Sequence, residues 1–479
     1  MSDEIPQFTV GELVKAGTLD KPLDGNHGGV HPKGEDFVES GIPFVMASDM
    51  VNGRIDLDGC KFISLEQARS LRKGFSKTGD VLLSHKATIG RTALVGELDA
   101  EYIMLTPQVT YYRIKDKTRL NNRYLKYYFD SREFQDTLNL WAGGGSTRSY
   151  LGITGQLKLP IRVPSIDVQK SIVNMLAPID DKIELNRQMN ETLEQMAQAL
   201  FKSWFVDFDP VIDNALDVGN PIPEALAVKA EQRKQLRATA VKDEAEAPTL
   251  PDDIRSLFPS EFEFTEEMGW MPKGWEVVKS GEIIDVRDGT HDSPKKVDDG
   301  YPLVTSRHIT TGTLKLEDTY NISHDDFDQV NKRSKVSSGD TLLTMIGTVG
   351  IPYLVLQPEV NFAIKNVGLF KTSGCPAYKY YFYLLLQSPQ MQNYLEARKA
   401  GTTQKYLSLK SLRSIEFIQP PSTLLDEFNE IVEPLFLKFI HTVESSAHLS
   451  KTRDTLLPKL ISGELQIPEA EKLTAEALN

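Results

Sequence analysis

The chain is poor in cysteine: Cys60 and Cys375 are the only two in 479 residues, and their separation does not suit a metal. A disulfide framework or a zinc site is therefore not expected. No apolar run approaches the roughly 18–20 residues needed to cross a bilayer. The start, Met-Ser-Asp-Glu, has no basic stretch followed by an apolar one, so a cytoplasmic protein without a membrane segment is expected. Histidines number eight and are scattered.

Signatures of catalysis are missing as well. There is no Gly-x4-Gly-Lys-Ser/Thr phosphate loop; Gly143-Gly144-Gly145-Ser146-Thr147 lacks the lysine and reads as a turn. Asn220-Pro221-Ile222-Pro223 lacks the aromatic residue with which adenine methyltransferases stack on a flipped base. No carboxylate-lysine cluster of a nuclease stands out either. A non-catalytic protein is expected.

What is present is ordinary globular composition, 40% hydrophobic and 25% charged, at a length that suits two or three domains. The formal charge of −13 is unevenly spread. Residues 206–270 hold 15 Asp and Glu against 6 Lys and Arg, and residues 463–479 hold 4 against 1. The remainder is nearly neutral, which leaves room for a local basic face. The overall acidity predicts weak non-specific DNA binding by the isolated chain.

The strongest feature is a repeat. Gly79-Asp80-Val81-Leu82-Leu83-Ser84 followed by Thr88-Ile89-Gly90 returns as Gly339-Asp340-Thr341-Leu342-Leu343-Thr344 followed by Thr348-Val349-Gly350. Gly41-Ile42-Pro43-Phe44-Val45 matches Gly300-Tyr301-Pro302-Leu303-Val304 at nearly the same offset, and Ile63-Ser64 matches Ile322-Ser323. A period of about 260 residues is too long for a solenoid unit and signals two copies of a whole domain. Each copy opens on a strand-like piece (8–13 and 275–284) and continues through short β-rich segments such as 42–46, 80–84 and 108–114. Helices are expected at 122–140 and 377–397, making the domain α+β.

After Pro164 and Pro421 the period changes to helical. Ile179, Ile183, Asn186, Asn190, Leu193, Ala197, Leu200 and Trp204 alternate spacings of four and three, a coiled-coil seam, and Phe436, Ile440, Val443, Ala447, Ser450 and Leu457 form a looser stripe. Asn186 and Asn190 on the seam are expected to fix register. Collinear repeats that each end in a helix predict an antiparallel, pseudo-twofold helix pair with a globular domain at each end. Residues 171–205 as helix would run about 50 Å, against about 34 Å for a turn of B-DNA. Two domains so held would touch two unlike half-sites around an unread gap of about 6–8 base pairs.

The motifs Phe201-Lys202-Ser203-Trp204-Phe205-Val206-Asp207-Phe208-Asp209-Pro210, Gly274-Trp275-Glu276 and Leu456-Leu457-Pro458-Lys459-Leu460-Ile461-Ser462-Gly463-Glu464-Leu465, with the doubled Gly-Asp-x-Leu-Leu segments, appear in an order that covers essentially the whole chain. In this it resembles the specificity subunits of type I restriction-modification enzymes. The resemblance implies target-recognition domains at 1–165 and 271–425 and spacer helices at 166–210 and 426–465, leaving a tail at 466–479; the acidic linker at 211–270, with some helix expected at 225–240, is longer and more acidic than the family's core pattern needs. It further implies a DNA-reading subunit that binds double-stranded DNA and recruits two methyltransferase subunits, with ATP-driven restriction and translocase subunits in the full enzyme. S-adenosylmethionine, ATP and Mg are then expected on those partners and no cofactor on this chain.

DNA contacts are sought in matching loops rich in donors and acceptors, because Arg and Lys pair with guanine, Asn and Gln with adenine, and Ser or Thr with base or phosphate. The first pair of loops holds Asn26, His27 and Lys33, answered by Thr290, His291, Lys295 and Lys296. The second holds Ser48 and Asp49, answered by Ser306, Arg307 and His308, and the third holds Lys86, Thr88 and Arg91, answered by Thr348. The last sets Ser146, Thr147, Arg148 and Tyr150 against Thr402, Thr403, Gln404, Lys405 and Tyr406. Each also has a bland reading as a polar turn or a structural hydrogen bond. Trp204, Phe205 and Phe208 are expected either to face a partner or to pack internally. Three rival readings stay open: a self-contained modification enzyme, a tandem scaffold that never touches DNA, and a family member that assembles without reading.

Overall fold

The structure, a computed structural model, describes residues 5–26, 31–143, 149–242, 250–310, 312–401, 405–465 and 467–478. It divides into two compact units, Met1–Arg187 with Glu444–Asn479, and Gln188–Val443. The boundary falls inside both long helices, Ile166–Phe205 and Ser422–Ser462.

The first unit contains a four-stranded sheet in the order Thr88–Leu94, Val81–Lys86, Val109–Tyr112, Leu23–Asp24. A second sheet of five short strands includes a parallel pair, Ile42–Val45 with Ile103–Leu105. The opening strand Gln7–Thr9 pairs antiparallel with Pro160–Arg162, which closes the domain before its long helix starts. The second unit repeats this plan by itself. Its four-stranded sheet runs Pro352–Leu354, Thr341–Thr344, Val367–Phe370, Val286–Asp288; Tyr301–Val304 lies parallel to Ala363–Ile364; and Glu276–Lys279 closes against Glu416–Gln419.

The repeated Gly-Asp-x-Leu-Leu segment has a physical cause. Gly79 and Gly339 both sit at φ 88°, where a side chain would be strained. Asp80 is buried and accepts a bidentate pair from Arg113 (2.9 and 2.7 Å) together with the Lys77 N–H at 2.8 Å. Asp340, equally buried, accepts from the Lys371 ammonium at 2.6 Å and the Ser337 N–H at 2.7 Å. Strand alternation then sends the two leucines to opposite faces. Leu82 and Leu342 enter smaller cores with Val45 and Val304, while Leu83 and Leu343 enter the larger helix-covered cores.

Four expectations change in detail. The helices expected at 122–140 and 377–397 are each two: Asn122–Asp130 with Arg132–Trp141, and Lys379–Gln387 with Pro389–Ala397. Ser131 and Ser388 take extended backbone and cap the second helix of each pair through their hydroxyls. The opening pieces are half strand and half helix, because Thr9 and Glu12 form a capping box that starts Val10–Lys15. The acidic linker holds more than the helix expected at 225–240, which is found at Ala227–Lys242: it also forms the helix Asp209–Val218 and a hairpin, Phe262–Thr265 with Gly269–Pro272. The tail also forms a helix, Ile467–Leu478, which buries Ala470 in the core of the first unit.

Within each unit the long helices run antiparallel. In the first, Asp180 accepts from Arg453 at 2.9 Å and from the Tyr127 hydroxyl at 2.7 Å, and the Asn186 amide donates to the Ser446 hydroxyl at 3.1 Å. In the second, the Thr442 hydroxyl donates to Asn190, and Ala197, Phe201 and Trp204 pack with Phe428, Val432 and Phe436. Both seam asparagines thus find polar partners, as a buried amide requires.

Removing the buried carboxylate should leave the Lys371 ammonium with the Lys335 carbonyl and the Ser337 hydroxyl but no counter-charge. Asp340→Ala is expected to destabilise the second unit by about 3–5 kcal/mol in denaturant unfolding. A loss below about 1 kcal/mol would show that the turn holds without it.

Candidate nucleic-acid interface

In the first unit the hairpin of Val81–Lys86 and Thr88–Leu94 turns through Ala87 at φ 65° and exposes Lys86 and Thr88 at its tip. Arg91 is also exposed, but its guanidinium donates to the carbonyl oxygens of Ala47 (2.9 Å) and Ser48 (3.3 Å), tying the neighbouring turn to the hairpin. Tyr150 bridges to Lys86, rests its ring 5.7 Å from that of His85 and remains 50% exposed. The Leu151 N–H donates to the His85 carbonyl at 3.0 Å, so this last loop is stitched to the same strand. The turn at 47–49, the hairpin tip and the Tyr150 loop therefore adjoin one another.

The second unit joins its loops through Ser306 and Asn366. The buried Ser306 hydroxyl donates to the Asn366 carbonyl at 3.2 Å and accepts from the Met345 N–H, also at 3.2 Å. Asn366, at φ 53°, meets the His291 ring with Oδ1 at 2.8 Å, and its N–H donates to the Thr290 carbonyl at 3.2 Å. Ile346 bridges to Tyr406, which is 44% exposed, and the Leu407 N–H donates to the Met345 carbonyl at 2.9 Å. Five loops far apart in sequence are drawn together, and Lys295, Lys296, Arg307, Thr348 and Tyr406 are exposed on four of them.

Several candidates take internal roles instead. Asn26 is buried and donates to the Lys73 carbonyl at 2.5 Å while accepting from the Arg72 N–H at 3.0 Å, so its amide edge is used to anchor a loop. Asp49 accepts from the Met46 N–H and the Ser48 hydroxyl, both at 2.8 Å, and holds its own turn. His308 is buried and accepts from the Thr305 N–H at 2.9 Å. Lys405 is exposed but paired with Glu396 at 3.0 Å, and hydrogen bonds from Lys399 and Lys405 hold that carboxyl below its ordinary range. Lys33 is exposed on its loop. His27, Ser146, Thr147, Arg148, Thr402, Thr403 and Gln404 lie outside the described residues.

Trp204, Phe205 and Phe208 are core residues of the second unit rather than an exposed partner face. Trp204 meets Phe258 edge-on at 5.2 Å and Phe208 meets Trp275 at 6.0 Å, all of them buried. Sequence reasoning missed Lys365 and Asn366. They occupy the turn between two repeated strands where the first copy has Thr106-Pro107-Gln108, and that divergence in length and chemistry was the available signal.

Burial, with Arg307 beside it, pushes the His308 imidazole below the usual histidine value of 6.5. Unfolded His308 takes up its proton at that value and the folded residue only at lower pH. Its neutral-form contribution is therefore complete above about pH 6.5 and is lost as pH falls through the folded value. Unfolding midpoints at about pH 7.5 and about pH 5.5 should differ less in His308→Gln than in the parent chain. Equal differences in the two proteins would contradict this.

The family model for the type I restriction modification DNA specificity domain matches twice, over residues 10–195 and 272–442. The type I restriction enzyme MjaIX specificity subunit of Methanocaldococcus jannaschii is 25% identical over 97% of this chain and 97% of its own length. The HindI specificity subunit of Haemophilus influenzae is 28% identical over 64% of this chain and 69% of its own. Among solved structures, the type I restriction-modification S subunit from M. genitalium aligns over 96% of this chain and 97% of its own at 14% identity, with a TM-score of 0.49. With the specificity domain matched in both halves, and relatives that are themselves specificity subunits, the chain belongs to the specificity subunits of type I restriction-modification systems.

Proposed function

We propose that each recognition domain reads one half of an asymmetric, gapped DNA site and that the long helices set the gap. One observation carries this reading: the two domains share a scaffold yet present different side chains on corresponding loops. The first presents Lys86, Thr88 and Tyr150, whereas the second presents Lys295, Lys296, Arg307, Thr348 and Tyr406. Like scaffolds with unlike loops recognise unlike half-sites. The exposed cations suit guanine edges and phosphates, and the tyrosines offer a flat face and a hydroxyl. Which of these side chains reads a base and which grips a phosphate follows from the bound geometry.

The chain itself carries no catalysis in this reading. It recruits two methyltransferase subunits that supply S-adenosylmethionine chemistry, and through them restriction subunits that use ATP and Mg. The long helices, which expose Leu185, Met196, Leu437 and Val443 among charged and polar residues, supply the surface for that assembly.

Binding of the assembled methyltransferase to randomised DNA tests the reading. Tyr150→Ala should relax or weaken one half-site by about 1–3 kcal/mol and leave the other intact, with Tyr406→Ala doing the converse. If both substitutions weaken both halves equally, the domains are not independent readers.

A further inference from the structure

The segment between the first long helix and the second recognition domain ends in a two-stranded hairpin, Phe262–Thr265 with Gly269–Pro272, that joins no larger sheet. Its base and its turn end differ. Met271 is fully buried and Phe262 packs against the same core as Trp275, which fixes the hairpin to the second unit. Toward the turn, on the face that also carries Phe262, Phe264 and Trp270 are paired across the strands, their rings meeting edge-on at 5.6 Å, and they remain 61% and 38% exposed. Met268, at the turn, is 36% exposed. An aromatic pair on a firmly seated hairpin is costly to leave in water and presents a pre-organised anchor of the kind that dominates protein interfaces.

The charge around it selects the occupant. Glu261, Glu263, Glu266 and Glu267 lie on or beside the hairpin, with Lys273 alone opposing them, paired to Glu261 at 2.5 Å. Such a rim repels the DNA backbone and complements Lys or Arg. The geometry points to this hairpin as a docking element for a protein partner that offers an apolar pocket bordered by basic side chains, and the methyltransferase subunit is that partner. This rests on the recruitment reading above. The hairpin adds to that assembly a contact separate from the DNA-reading loops and from the long helices.

The test uses the full chain and purified methyltransferase subunit. Affinity is measured by titration at low and high salt for the parent, for Phe264→Ser with Trp270→Ser, and for Glu266→Lys with Glu267→Lys. The first variant should bind about tenfold to a hundredfold more weakly, the range of aromatic anchors. The charge-reversed variant should also bind more weakly and lose part of the parent's salt dependence. Since the substituted residues are exposed, both variants should keep the parent's circular dichroism. A photo-crosslinker at position 264 should label the methyltransferase subunit at a basic-rimmed site. Parental affinity in both variants overturns the hairpin proposal alone. If the parent chain forms no complex, recruitment itself fails and the hairpin proposal falls with it. Concentration-dependent dimerisation of the chain that the variants abolish would assign the hairpin to self-contact and likewise overturn the proposal.

Discussion

Each recognition domain depends on a buried carboxylate at the foot of its central strand. Asp80 with Arg113 and Asp340 with Lys371 neutralise a charge that could not otherwise be left inside, and the same oxygens hold the turn that launches the strand. The far ends of those strands are where the exposed loops begin. In the first domain the strand ends at Lys86 and the Ala87 turn; in the second it ends at Thr344, just before Met345 and Ile346 meet Ser306 and Tyr406. One anchored strand therefore joins the stable core of each domain to its variable edge. The cation differs between copies while the carboxylate does not, so the constraint is the acceptor and its geometry.

The helices add a second, polar constraint. Asn186 with Ser446 and Asn190 with Thr442 place hydrogen-bonded amides on the helix seam, and each unit meets its own stretch of that seam differently. The first uses Tyr127, Asp180 and Arg453; the second stacks Tyr380 on Phe436 at 4.8 Å. Polar groups of this kind cost stability if misaligned and so specify register. A fixed register is what a ruler between two half-sites needs.

Much of this was legible beforehand because repetition exposes constraint. The Gly-Asp-x-Leu-Leu segments, the strand at 42–46 and the seam from Ile179 to Trp204 all show a physical need twice or at regular spacing. The loops were harder. Asn26 and His308 have the side chains of base readers, and only their burial shows that they hold the fold instead. Asn366 drew no notice because its importance comes from a left-handed turn and from partners at Thr290, His291 and Ser306, none of which a linear pattern displays. Trp204, Phe205 and Phe208 fit the helical stripe and its continuation equally well as core or as surface. Phe258 and Trp275, distant in sequence, decide for the core.

In the proposed function one chain carries two independent DNA readers on a common scaffold. The most direct measurement is the genome-wide pattern of adenine methylation in cells that express this chain with its methyltransferase subunit, compared with cells that lack the chain. A gapped motif of two unlike halves should appear only with the chain, and replacing one recognition domain should exchange only one half. Methylation that is absent, or that follows a single undivided motif, would contradict that function.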